Sequence, residues 1–163
     1  MGELVWSDGL LEQARRTRDD VAGALGSLGV DGELVLTGGT SVAGALTRGD
    51  IDLHLRVAPD AFDAVVVRLR AAYPVASAQS WAATLAVFDV PASRPTGLAV
   101  TPIGSEHDQR FCLSWQALRR DPVLLAQYND FKSATVDTDD YEQRKSAFFS
   151  TLVSEREHRP SRE

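Results

Sequence analysis

Thr37-Gly-Gly-Thr-Ser-Val-Ala-Gly-Ala-Leu-Thr-Arg-Gly-Asp-Ile-Asp-Leu-His-Leu-Arg-Val57 is the stretch of sequence that decides the expected fold. Its glycine pair, Gly38 and Gly39, follows a short apolar run and predicts a tight turn at the end of a strand. Thr40 or Ser41 is then expected to cap a short helical segment. A turn of this kind exposes backbone N–H groups, and these suit a phosphate.

The second half of the stretch predicts a strand with two carboxylates on one face. Polar and apolar residues alternate in it, and successive side chains of a strand point to opposite faces, so Asp50 and Asp52 share a face. The two sets that alternate are Ile51, Leu53, Leu55 and Val57 against Asp50, Asp52, His54 and Arg56.

Two carboxylates on one strand face conflict electrostatically unless a cation joins them. Two unit charges about 4 Å apart repel by roughly 4 kcal/mol at an effective dielectric constant of 20. Mg²⁺ removes this conflict, since it prefers carboxylate and phosphate oxygens. A triphosphate on the N–H groups around Gly39 and Thr40 would let the metal bridge its oxygens to Asp50 and Asp52.

Length, cysteine content and hydropathy limit the class of protein. The 163 residues show no break in composition, so one domain is expected over 1–154, with a charged, frayed tail over 155–163. Cys112 is the single cysteine and cannot form an internal disulfide. No apolar run is long enough to cross a bilayer, and the N-terminus has no signal-peptide pattern, so a cytoplasmic protein without a membrane partner is expected.

The net charge of −6 argues against a generic nucleic-acid binder. Nonspecific affinity for nucleic acid comes from an excess of Lys and Arg that meets phosphate. A single nucleotide or another small phosphate ligand is compatible with this charge, because one local site can hold it.

The remaining pattern predicts a mixed sheet with helices before, between and after its strands. At least four strands are expected. The first predicted elements are a helix capped by Ser7 that ends near Gly26 or Gly29, a strand at 33–37, the aspartate strand, and a helix from Pro59-Asp60 to Tyr73. Two further strands are predicted at 83–90 and 97–103. The last predicted elements are a helical region from about Leu113, with a break at Asp121-Pro122, and a final helix from about Thr138.

The spacing of the motif resembles a known sequence signature. Gly38-Gly39, ten further residues and then Asp50-Ile-Asp52 resemble the signature of the polymerase-beta-like nucleotidyltransferase superfamily. More narrowly, residues 39–44 and the following Arg48-Gly-Asp-Ile-Asp resemble the GrpB family, whose usual wording is Gly-Ser-Thr-Ser-Val-Pro-Gly-Leu and then Lys and Ile-Asp. Gly39, Ala43 and Arg48 stand where that family usually has Ser, Pro and Lys.

The C-terminal half of the sequence is similar to the same family. The family's Pro-Glu…Tyr-x-x-Leu-Lys…Tyr-x-x-x-Lys-x-x-Phe pattern recurs at matching spacing, and the resemblance spans roughly Val35 to Phe149. Lysines on helices are either solvated or, at a site of this type, in contact with phosphate. The matching residues are Pro122, Tyr128, Phe131-Lys132, Tyr141, Lys145 and Phe148.

The resemblance implies an α+β fold, with a small mixed sheet of the nucleotidyltransferase type, helices on one face and a helical C-terminal part. It also implies magnesium-dependent transfer of a nucleoside monophosphate from an NTP to an acceptor. Asp50 and Asp52 would bind Mg²⁺, and Arg48 would steady charge in the transition state. The turn residues Gly38, Gly39, Thr40 and Ser41 would hold the phosphates.

A third carboxylate decides between catalysis and binding alone. The superfamily takes it from a later strand, and the match here is Phe88-Asp89-Val90, so Asp89 is the candidate third metal ligand. Where the GrpB family has His-x-His, this chain has Leu98-Ala-Val100. Two alternatives therefore stay open: a noncatalytic nucleotide-binding, phosphate-binding or interaction module on the same scaffold, and a plain α/β domain whose glycine turn is only structural.

Overall fold

A four-stranded mixed sheet lies at the centre of the computed structural model, which describes residues 3–157. The strands are Val5–Trp6 (β1), Glu33–Thr37 (β2), Leu46–Thr47 (β3), Ile51–Val57 (β4), Ala86–Asp89 (β5) and Thr96–Pro102 (β6). The helices are Leu11–Ser27 (α1), Phe62–Ala72 (α2), Glu106–Arg120 (α3), Pro122–Thr135 (α4) and Tyr141–Glu157 (α5).

The sheet has the order β2-β4-β6-β5, with β4 and β6 parallel and the other two pairs antiparallel. A mixed sheet of at least four strands was predicted, and this prediction is confirmed. Strands β1 and β3 form a separate antiparallel ribbon. The central position of β4 explains why the stretch that contains it governs the fold.

The alternation in β4 separates a face that is buried in the core from the opposite face, which carries Asp52, His54 and Arg56 and which we call the site face. Ile51, Leu53, Leu55 and Val57 are buried in one core with residues of α1 and α2. On the opposite face, the His54 ring lies 5.1 Å from that of Phe111 in α3. Because burial of apolar side chains is the main favourable term in folding, this alternation fixes which face of β4 carries Asp52, His54 and Arg56.

Helices α3, α4 and α5 enclose a second core and form the helical C-terminal part that the resemblance implied. Trp115, Tyr128 and Phe149 pack there against Val42 and Ala45, which follow the glycine turn. Asn129 of α4 also accepts from the Leu46 amide and donates to the Gly44 carbonyl, both at 2.9 Å. The helical part is therefore anchored on the turn region.

Two predicted helix starts are corrected. Ser7 does not cap α1, because its buried hydroxyl donates to the Val42 carbonyl, and α1 begins at Leu11 without a side-chain cap. Helix α3 begins at Glu106, seven residues before the predicted Leu113. The Ser105 hydroxyl accepts from the Asp108 amide at 3.3 Å and caps the helix, a Ser-x-x-Asp signal that was present in the sequence.

Two other boundaries differ from the prediction. Residues 83–85 belong to a turn closed by a bridge between Ala82 and Leu85, so β5 is shorter than the predicted strand. Helix α5 continues to Glu157, into the segment expected to fray, and residues 158–163 lie outside the described part of the chain. None of the helices over 3–157 is both long enough and apolar enough to span a membrane.

Candidate functional site

The glycine turn touches the aspartate strand at Gly38. Its φ of 73° and ψ of 176° are nearly exclusive to glycine. A Cβ built on Gly38 would lie 2.1 Å from Oδ2 of Asp52. The two halves of the sequence motif therefore meet in space, and they do so only because residue 38 has no side chain.

The hydroxyls of Thr40 and Ser41 hold the turn together. Oγ1 of Thr40 donates to the Asp50 carbonyl at 2.5 Å, and Oγ of Ser41 donates to the Gly38 carbonyl at 2.7 Å. The expectation that Thr40 or Ser41 caps the segment is wrong, because the short 3₁₀ turn Gly39–Ser41 has Gly38 at its N-cap position and no side-chain cap. A phosphate at this turn would meet backbone N–H groups, since both hydroxyls are engaged.

The two aspartates supply unengaged oxygen ligands. Asp50 is exposed and precedes β4 by one residue, while Asp52 is half-buried within it. Within 3–157, neither carboxylate accepts a hydrogen bond or forms an ion pair. Burial raises the pKa of Asp52, and Asp50 adds to the rise while Lys145 and Lys132 oppose it. A hard divalent cation fits this donor set, because it prefers carboxylate oxygens and would favour the ionised form of Asp52.

A cavity of about 490 Å³ opens at Asp52 between the sheet, α3 and α5. Thr37 and Ser114 line it, and each carries a buried hydroxyl without a hydrogen-bond partner among the described residues. Buried polar groups are normally satisfied. Two unsatisfied hydroxyls beside an unengaged carboxylate therefore indicate a ligand site.

Asp89 lies on the same face of the sheet as Asp52 but two strands away. The register pairs Asp52 with Gly97 and Gly97 with Asp89, which puts the two aspartate Cα atoms about 10 Å apart at ordinary strand spacing. Asp89 is exposed and, like Asp50, does not line the cavity. Glu142 of α5 does line it; sequence reasoning missed this carboxylate, although it directly follows Tyr141 of the matched pattern.

Arg48 extends toward the helical part of the molecule. Its guanidinium donates to the Val136 carbonyl, and its Cζ lies 5.5 Å from the centroid of the Tyr141 ring. The candidate transition-state cation is thus positioned by the segment that follows α4 and by α5.

A second cluster of metal-type ligands lies deeper on the same face. His54, Asp108 and Cys112 place their ligand atoms within 4.8 Å of one another. The Asp108 carboxylate already accepts two bonds from Arg56, at 2.7 and 3.0 Å, and one from the Gly104 amide at 2.9 Å. The protein itself uses these oxygens, so the cluster joins β4 to α3 and is distinct from the Asp50–Asp52 pair.

His54 is neutral in this network. Its Nε2 lies 2.7 Å from Oγ1 of Thr101. Burial lowers the pKa of His54 to about 4, with the Arg56 charge lowering it further and the Asp108 charge opposing the change. An uncharged imidazole beside the Arg56–Asp108 pair adds no positive charge that would need a second counterion.

One protein family matches nearly the whole chain. The family described as GrpB protein matches residues 6–155. The chain belongs to the GrpB family. The match includes the glycine turn, both aspartates and nearly all of the helical part, so the predicted resemblance is confirmed. Among curated proteins, none matches this chain.

Solved structures support the same fold. The crystal structure of the conserved protein GrpB from Enterococcus faecalis has a TM-score of 0.72 and 15% identity, and the match covers 94% of this chain and 96% of that one. Cid1 poly(U) polymerase with MgGTP bound has a TM-score of 0.52 and 17% identity over 75% of this chain and 41% of its own. The chain described here thus matches about two-fifths of the length of Cid1. At these identities, the likeness shows a shared nucleotidyltransferase-type fold and no more.

Proposed function

We propose that this GrpB-family protein is a magnesium-dependent nucleotidyltransferase, which transfers a nucleoside monophosphate from an NTP to an acceptor. The observation that carries the proposal is the close approach of Gly38 to the Asp52 carboxylate. It supports a site in which backbone N–H groups of the turn would bind phosphate next to oxygens that would bind a metal. The fold shared with Cid1, a polymerase solved with MgGTP, is consistent with it.

Each part of the turn region has a role in this proposal. Asp50 and Asp52 would hold the metal, which would neutralise charge at the phosphates. The backbone N–H groups of Gly39 and Thr40 hold phosphate oxygens. Arg48 would steady charge on the phosphates while the acceptor bonds to the α-phosphorus, the bond from this phosphorus to pyrophosphate breaks and the acceptor's proton passes to water.

One observation favours a second candidate function, a noncatalytic nucleotide-binding module on the same scaffold. Asp89 lies two strands from Asp52, on the far side of Gly97. If no third carboxylate completes the metal site, the protein binds a nucleotide without transferring it. Under this alternative, Mg²⁺ and nucleotide bind, but no pyrophosphate is released with hydroxyl, amine or phosphate acceptors.

Thermal unfolding with each of the four NTPs tests the proposal. At least one NTP should raise the melting temperature of the wild type when Mg²⁺ is present, because a ligand at 100 times its Kd stabilises by about 2.7 kcal/mol. Asp52→Asn should fold and lose this rise, while Asp20→Asn, an exposed aspartate on α1, should keep it. An equal rise in Asp52→Asn would refute the metal role of Asp52.

A further inference from the structure

Both lysines of this chain converge on one ring. The sequence has 17 Lys and Arg residues, and Lys132 and Lys145 are the two lysines among them. Their Nζ atoms lie 5.2 and 5.9 Å from the centroid of the Tyr141 ring, although they belong to different helices. Arg48 approaches the same ring at 5.5 Å. Three cations therefore surround Tyr141, and we call these four residues the cation cluster.

The cation cluster is short of anionic partners. In the part of the chain that the structure describes, neither lysine ammonium makes a hydrogen bond or an ion pair. Lys132 is only 7% exposed, and the buried Tyr141 hydroxyl also has no hydrogen-bond partner. Burying a cation without a hydrogen-bonded counterion is costly, so a ligand is the simplest source of the missing partners.

Burial and neighbouring positive charges both lower the pKa of Lys132. Burial is the largest cause that lowers the pKa of Lys132 to about 8, and the charges of Lys145 and Arg48 lower it further. Asp52 and Glu142 oppose the change without outweighing it. Burial and the neighbouring cations therefore outweigh the attraction of these carboxylates at Lys132.

The cation cluster adjoins the proposed phosphate site. Each lysine follows a buried tyrosine by one helical turn, Tyr128 in α4 and Tyr141 in α5. The Tyr128 hydroxyl lies 3.2 Å from where a Cβ of Gly39 would be, so α4 abuts the glycine turn. Lys145 lines the same cavity as Asp52. Lys132 lies next to the same tyrosine, because its Nζ is 5.9 Å from the centroid of the Tyr128 ring.

We infer that Arg48, Lys132, Lys145 and Tyr141 form a subsite for the outer phosphates of an oligophosphate chain. The inference rests on the proposed function in that it continues the phosphate chain from the proposed turn site toward Lys145, the member of the cluster that lines the cavity. Three cations and a hydroxyl donor match the charge of a di- or triphosphate, whereas a monophosphate carries at most two negative charges. Compact, rotatable ammonium groups suit this task because they bind phosphate as point charges.

The small number of lysines gives a direct experiment on the full chain. Biosynthetic ¹³C-lysine labelling should yield two lysine spin systems. In metal-free solution with a chelator, inorganic tripolyphosphate should shift both ε-methylene signals saturably. Orthophosphate should bind at least about tenfold more weakly, because it reaches fewer charge-assisted hydrogen bonds.

Variants separate binding by the cluster from general electrostatics. Lys132→Met and Lys145→Met should each weaken tripolyphosphate binding about tenfold or more. Lys132→Arg should keep most of the affinity, and Arg16→Met on the exposed face of α1 should keep all of it. If Lys132→Arg keeps its affinity for tripolyphosphate, the loss in Lys132→Met comes from the missing charge and not from a damaged fold. Unchanged affinity in both Met variants, or orthophosphate that binds as tightly as tripolyphosphate, would overturn the inference.

Asp52→Asn distinguishes this inference from the proposed function. The variant should still bind tripolyphosphate without metal, and more tightly than the wild type does, since a repelling carboxylate is gone. If it binds tripolyphosphate but the wild type shows no Mg²⁺-dependent NTP binding, the cluster stands and the nucleotidyltransferase proposal falls. If NTP binding needs Mg²⁺ and Asp52 but tripolyphosphate does not shift the lysines, the reverse holds.

Discussion

Gly38→Ala is expected to abolish Mg²⁺-dependent nucleotide binding and to lower the free energy of unfolding by about 1–3 kcal/mol. The backbone of Gly38 has a φ of 73° and a ψ of 176°, and this conformation strains any residue with a Cβ. The added methyl would also lie 2.1 Å from Oδ2 of Asp52, so the carboxylate must move. Displacement of Asp52 separates the metal ligand from the turn, and the binding loss should exceed the stability loss.

The control for this prediction is Gly23→Ala. Gly23 lies inside α1, and a Cβ there meets nothing within 4 Å. Alanine in a helix interior is favoured over glycine by roughly 0.5–1 kcal/mol, so this variant should be slightly more stable and bind nucleotide normally. Urea unfolding and calorimetric titration measure the two quantities separately. Wild-type nucleotide affinity in Gly38→Ala would contradict the proposed geometry.

Asp108→Asn should cause the largest loss of stability, about 3–5 kcal/mol in urea unfolding. The Asp108 side chain is 2% exposed and forms two hydrogen bonds with the Arg56 guanidinium. The substitution removes the buried one of the two carboxylates that pair with Arg56, and it leaves the more exposed Glu33 at 3.0 Å. It also weakens the link between β4 and α3, whose Ser114 and Arg110 line the cavity.

The pH dependence of this loss has a defined sign. Burial alone would raise the pKa of Asp108, but hydrogen bonds from Arg56 and Gly104 outweigh it and leave the pKa below 3.8. The stability from ionised Asp108 is therefore complete above pH 3.8 and is lost as the pH falls through the folded-state pKa. The difference between wild type and Asp108→Asn should shrink there.

The control for Asp108→Asn is Glu12→Gln, which breaks the exposed pair of Glu12 and Arg16 and should change stability little. A difference between wild type and Asp108→Asn that stays constant down to pH 3 would contradict the assignment of Asp108 as the counterion of Arg56.

Local signals predicted the part of the fold that holds the site. The strand predicted at 33–37 has those bounds in the structure, and the alternation from Ile51 to Val57 predicted the two faces of β4 correctly. These features depend on period-two side-chain geometry and on the turn chemistry of glycine, and both are properties of a few consecutive residues. The family signature at 38–52 is local in the same sense.

Features that depend on distant partners could not be predicted. The Ser7 hydroxyl meets a carbonyl 35 residues away, and Arg56 meets Asp108 across 52 residues. The convergence of Lys132 and Lys145 on Tyr141 requires the packing angle of two helices, which periodicity does not give. Thr40 fits the sequence pattern of a cap, but a tertiary hydrogen bond to the Asp50 carbonyl takes its hydroxyl instead.

The position of a bound metal shows whether Asp50 and Asp52 are its ligands. Crystals grown or soaked with Mn²⁺, which accepts the same oxygen ligands as Mg²⁺, and a nonhydrolysable NTP analogue would show the ion by anomalous diffraction. We expect an anomalous peak about 2.0–2.2 Å from oxygens of both Asp50 and Asp52 and of the analogue's phosphates. A peak that lies only at His54, Asp108 and Cys112, or a bound analogue without metal at the aspartates, would contradict it.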